Sequence, residues 1–128
     1  MPFVTSAQTE IQIGTGTSDF RAPLPGWFGW NREAYLYCAS EIQEEGVITS
    51  LAFQISSVSS GSTAQLKIYL KEISDTVLPA STNWNTLKAG AQLVYTNTAL
   101  ASAPTGWKTF IFETPFQYST NRKLMVLI

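Results

Sequence analysis

The ten residues from Val47 to Ser56 sort by parity in a way that an extended strand can use and a helix cannot. Val47, Thr49, Leu51, Phe53 and Ile55 fall on one side, and Ile48, Ser50, Ala52, Gln54 and Ser56 on the other. Side chains of a strand alternate between its two faces, so the odd positions are expected to face a core. The same period recurs in Leu66, Ile68 and Leu70 against Gln65, Lys67 and Tyr69. With the Ser/Gly-rich stretch 56–63 between them, the two runs read as the arms of a hairpin. No segment carries a helical apolar stripe of ten residues or more. The pattern therefore points to an all-β fold, an antiparallel two-sheet β-sandwich of seven to eight short strands.

Shorter signals fill in the rest. Residues 1–9 are polar and aperiodic and read as an arm or linker, leaving residues 10–128 as a single β-sandwich domain. Ile11 and Ile13 alternate as a half-buried strand would, and Thr15 to Asp19 is turn chemistry. Pro23, Pro25, Gly26 and Gly29 forbid a regular element around Trp27, Phe28 and Trp30. Ala34 to Ala39 reads as a strand, with Tyr35 and Tyr37 on one side and Leu36 and Cys38 on the other. In the long excursion 71–90, Asn83 to Lys88 fits one helical turn capped by Asn83 or Thr82 and stopped by Gly90. Strands are expected at Ala91–Tyr95, at Thr96–Leu100 and at Trp107–Phe112, the last broken by the segment around Pro115. Trp107, following Gly106, is expected to anchor its strand in the core. Tyr118 is expected to act as a corner tyrosine, its ring buried and its hydroxyl bonded to backbone.

Composition narrows the chemistry. Histidine is absent from all 128 residues, which removes the commonest general base and the commonest zinc ligand. Cys38 is the single cysteine, so neither an internal disulfide nor a thiolate cluster can form. Glu41, Glu44 and Glu45 lie close in sequence, but the chain has only Asp19 and Asp75 to add to them, and a solvated turn accounts for them without a metal. A formal net charge of −1 gives no electrostatic reason to bind nucleic acid. No apolar run is long enough for membrane insertion. The expectation is a chain that is not an enzyme and needs no cofactor. The 13 Ser and 15 Thr, against 13% charged residues, suit an extracellular or particle setting.

The final run Lys123-Leu124-Met125-Val126-Leu127-Ile128 is apolar on both faces, as in a strand buried centrally in a sheet. Two readings stand. Either the sandwich is incomplete at Ile128 and continues in further strands, or a neighbouring subunit pairs with Leu124, Met125, Val126, Leu127 and Ile128, making them assembly residues.

Several segments in order resemble a known module. They are Ile11 to Thr17, Tyr37 to Glu41 leading to Gly46–Phe53, Lys67 to Lys71, Leu93-Val94-Tyr95, Gly106-Trp107, Thr114 to Tyr118, Asn121 and Leu124-Met125-Val126. Together they look like a jelly-roll-like β-sandwich module of secreted and cell-surface proteins of Bacteroidetes. The resemblance implies a non-enzymatic adhesion, recognition or spacer role, with no catalytic residues to carry over. It also implies further strands after the last segment, and protein partners or neighbouring domains. Residues 1–9 depart from it, since they show no basic, apolar leader pattern, and this leaves room for an internal fragment or a virion-borne version. A structural subunit of a phage particle, fibre or surface filament is the alternative function. A carbohydrate-binding module is the third: Trp27, Phe28 and Trp30 with Asn31, Arg32 and Tyr35 could stack on and hydrogen-bond glycans, and Trp84, between Asn83 and Asn85, is a second candidate for partner or ligand contact. The bland reading of that loop is that its rings cover one end of the sandwich.

Overall fold

The computed structural model describes residues 8–14, 16, 32–56, 63–74, 83–101, 105–119 and 121–128. Their elements are β1 (Ala34–Tyr37), α1 (Ala39–Ile42), β2 (Gly46–Ile55), β3 (Thr63–Ile73), α2 (Trp84–Lys88), β4 (Gln92–Ala101), β5 (Gly106–Tyr118) and β6 (Lys123–Leu127). The strands form two antiparallel sheets, β1-β6-β3-β4 and β2-β5, in an all-β sandwich. Pairing is nested: first strand with last, second with fifth, third with fourth. β3 also pairs with β6 and joins the outer and inner pairs into one four-stranded sheet. Nested antiparallel pairs folded across two sheets are the jelly-roll way of wrapping a chain.

The core lies between the sheets. Leu66, Ile68 and Leu70 of β3, Val94 of β4, and Leu124 and Val126 of β6, with the adjoining Ile128, face Phe110, Phe112, Phe116 and Tyr118 of β5. Tyr35, Tyr37, Ile48, Leu51 and Phe53 close its flanks, and Tyr35 and Phe53 sit with ring centroids 5.9 Å apart. β6 is what its composition suggests, paired on both edges and buried on both faces. Leu124, Val126 and Ile128 enter the core, while Met125 and Leu127 point to the opposite face of the sheet. There they meet Ile73, Leu36, Tyr69, Trp84 and Leu87, so α2 covers the back of the four-stranded sheet. Backbone bonds Glu33 N–H to Ile128 O (2.8 Å) and Ile128 N–H to Glu33 O (2.9 Å) extend the β1–β6 ladder past its last residues.

α2 forms where a helical turn was expected. Asn83 Oδ1 accepts the N–H of Asn85 at 2.8 Å, and Gly90, at φ +77°, takes the left-handed conformation that ends it. Tyr118 is a corner residue as expected: its ring is buried and its hydroxyl donates to Arg122 O at 2.7 Å.

Several expectations need correction. Residues 10–14 form no strand, and Ile11 and Ile13 are exposed, because no neighbouring strand offers them a ladder among the described residues. β2 and β3 are not a hairpin, since each is in a different sheet. Parity in β2 is split: Leu51, Phe53 and Ile55 turn inward, but Val47 and Thr49 face solvent and Ile48 turns inward. The cause is a register shift, in which Thr49 stands alone opposite Phe112, Glu113, Thr114 and Pro115, and the kink swaps the faces. That bulge also lets β5 run thirteen residues through Pro115, where a break was expected. A proline that cannot donate to a ladder is accommodated where pairing is already interrupted. Finally, Trp107 is not a core anchor, since it is 56% exposed. Phe110 and Phe112 take the inward parity of β5 and leave Trp107, Thr109 and Ile111 on the outside. β4 is one strand where two were expected, and six strands stand among the described residues against seven to eight.

Candidate functional site

Of the aromatic-loop candidates, Trp27, Phe28, Trp30 and Asn31 lie outside the described residues. The other three do not converge on one platform. Tyr35 points into the core side of β1, and its hydroxyl bonds to the carboxylate of Glu33. Burial first, and then Glu33, push that hydroxyl well above the usual tyrosine range. Trp84 lies on the opposite face of the same sheet, half-buried against the Met125 and Leu127 cluster, with the Arg32 guanidinium 5.7 Å from its ring centroid. A cation over an indole is a favourable contact, and here it clips the edge of the chain to α2. Two lysines do similar work. Lys71 Nζ donates to Leu87 O (2.8 Å) and Ala89 O (2.9 Å), and Lys88 Nζ sits 5.2 Å from the Tyr69 ring centroid. Trp84 thus serves as packing at this position.

Leu124 to Ile128 offer no edge to a neighbour. β1 takes one side of β6 through Leu124 to Leu127, and β3 takes the other through Lys123 to Leu127. All five side chains are buried.

A depression of about 420 Å³ lies at the end of the four-stranded sheet, lined by Cys38, Ser40, Ile73, Asn121, Arg122 and Lys123 among others. The Tyr118 corner stands beside it, with that hydroxyl pushed up by burial and by Glu72. Glu72 in turn accepts the Ser119 hydroxyl at 3.0 Å. Among the described residues no three His, Cys, Asp or Glu side chains gather into a metal-binding group. The depression borders the turn that the Tyr118 hydroxyl holds through Arg122 O.

The feature left over is the outer face of the β2–β5 sheet. Trp107, Thr109 and Ile111 project in a row, about 14 Å from first to last at the usual strand rise. Directly across from them stand Gln54, Ala52 and Ser50. All six are exposed, Trp107 at 56% and Ile111 at 73%, and Val47 adds another exposed aliphatic beyond the kink. None of the seven is charged. A strip with an indole at one end and a branched aliphatic at the other, with exposed Glu113 next in the same alternation, can bury apolar area against a partner. Sequence parity could not single it out, because β5 carries bulky apolar residues on both faces. No family model, curated protein or solved structure matches this chain.

Proposed function

We propose that this chain is a non-enzymatic recognition or adhesion module that holds a protein partner on the outer face of the β2–β5 sheet. The observation that carries the reading is the exposed row of Trp107 and Ile111 on the paired strands β2 and β5. Trp is among the residues that dominate protein interfaces when a partner desolvates it. A protein fits better than a glycan, because Ile111 and Val47 are aliphatic and cannot stack on sugar rings as flat aromatics do. The histidine-free composition supports the non-catalytic part of the proposal. The low charge and the abundance of Ser and Thr support an extracellular or cell-surface setting, as does the resemblance to the Bacteroidetes module. A structural subunit of a virion or filament is the second reading, favoured by the edge position of β2 in its sheet among the described residues.

A photo-crosslinking residue at position 109, in the middle of the row, tests this. Used in the native host, it is expected to give a discrete protein adduct that disappears when Trp107→Ser is added. Glycan-array binding abolished by Trp107→Ser would replace the protein partner with a carbohydrate. Adducts indifferent to Trp107→Ser would overturn the proposal.

A further inference from the structure

The back of the four-stranded sheet carries two cross-strand rows. Register places Leu36, Met125 and Lys71 side by side on β1, β6 and β3, and Ala34, Leu127 and Tyr69 next to them two residues along. Residues opposite one another in an antiparallel pair share a face. α2 lies across both rows. The Lys71 ammonium donates to Leu87 O and Ala89 O, the Lys88 ammonium stands over the Tyr69 ring, and Trp84 and Leu87 pack on the apolar cluster. This cover is thin. None of the five residues of α2 is fully buried, whereas Met125 is 2% exposed and Leu127 0%. A helix so short has no stability of its own, since isolated helices need about 12–15 residues to persist in water. Gly90, in the left-handed region at φ +77°, separates it from Gln92, which begins β4 and pairs with Leu70.

We propose that α2 is a lid hinged at Gly90, which opens while the sheet stays paired, and that the Met125 thioether beneath it makes the lid redox-sensitive. Opening gives up the contacts of Lys71, Lys88, Trp84 and Leu87 but no hydrogen bond of a strand ladder. Hydrogen peroxide then reaches the sulfur. The sulfur lone pair attacks one peroxide oxygen, an S–O bond forms as the O–O bond breaks, and the second oxygen leaves as water. The thioether is oxidised by two electrons and the peroxide reduced by two. The product is a polar sulfoxide, and returning it to the cluster of Ile73, Leu127, Leu36 and Leu87 costs its hydration. The closed lid is therefore disfavoured until the sulfoxide is reduced. α2 and the Trp107 row lie on the outer faces of different sheets, so the lid is independent of what that row binds.

Hydrogen peroxide treatment of the full chain tests it, read by mass spectrometry of the peptide that holds Met125 and by hydrogen exchange. In urea well below the unfolding transition, the Met125 oxidation rate is expected to stay flat, because opening the lid exposes little surface. Lys71→Leu, which unlatches the lid, is expected to raise that rate on the order of tenfold. Once Met125 is oxidised, the α2 amides should exchange faster while those of β3 and β6 stay protected, and methionine sulfoxide reductases should restore slow exchange. Met125→Leu should keep α2 exchange slow through the same treatment, which separates Met125 from Cys38. An oxidation rate that climbs with urea as steeply as global unfolding does would overturn the proposal. So would α2 amides that exchange alike before and after oxidation, or that quicken equally in Met125→Leu.

Discussion

Tyr118 shows how one hydroxyl sets a chain turn. Its ring fills the core between the sheets, and its O–H ends on Arg122 O, fixing the path from β5 into β6. Tyr118→Phe keeps the ring and frees the carbonyl, and urea unfolding should show a loss of about 1 kcal/mol. An unchanged midpoint would mean the corner is held by packing without help from the hydroxyl. Tyr35, Tyr37 and Tyr118 also share a pH signature, since burial is the first cause that raises each of them above the ordinary tyrosine value of about 10. Carboxylates add to it: Glu33 at Tyr35, Glu41 at Tyr37 and Glu72 at Tyr118. The folded chain then holds these protons more tightly than the unfolded chain does. Their contribution is fully present below the unfolded tyrosine pKa and is lost as pH rises through the folded values. The unfolding midpoint should therefore fall as pH climbs above about 10, and an alkaline limb no steeper for wild type than for Tyr35→Phe/Tyr37→Phe would contradict this.

At the scale of elements, α2 is held to the back of the four-stranded sheet by few contacts that can be named. Lys71 takes two carbonyls at its C-terminal end, Trp84 and Leu87 cover Leu127 and Met125, and Lys88 rests over Tyr69. Lys71→Met removes both hydrogen bonds and keeps the aliphatic stem. Hydrogen exchange should then quicken at the α2 amides while β3 and β6 stay protected, and slow exchange throughout would show that the apolar contacts suffice. These elements also show what parity can and cannot reveal. β3 was readable because only one of its faces is bulky and aliphatic over Leu66, Ile68 and Leu70. β6 was readable as a central strand because both its faces are apolar. β5 was not, since Trp107 and Ile111 compete with Phe110 and Phe112 for the core and the alternation is equally good either way. Pro115 hid the continuity of β5, because the four-residue bulge that tolerates it depends on Thr49, more than sixty positions earlier in the chain. The partner of β2 was hidden for the same reason, since the nearest apolar run in sequence belongs to the other sheet. Of the candidate site, Trp84 and Arg32 do meet, as packing, while the exposed row on β5 emerged only once both sheets were placed.

At the scale of the molecule, the chain divides its large apolar side chains between two jobs. Leu127 is fully buried with both strand edges paired, so Leu127→Ala should cost roughly 2–5 kcal/mol. Trp107 and Ile111 are as large but face water, and in this account they are kept for contact with a partner. The most direct test is urea unfolding of Trp107→Ser/Ile111→Ser beside wild type and Leu127→Ala. The expected loss for the double variant is below about 1 kcal/mol, as for other surface changes. A loss comparable to that of Leu127→Ala would place the row inside the fold and contradict the account.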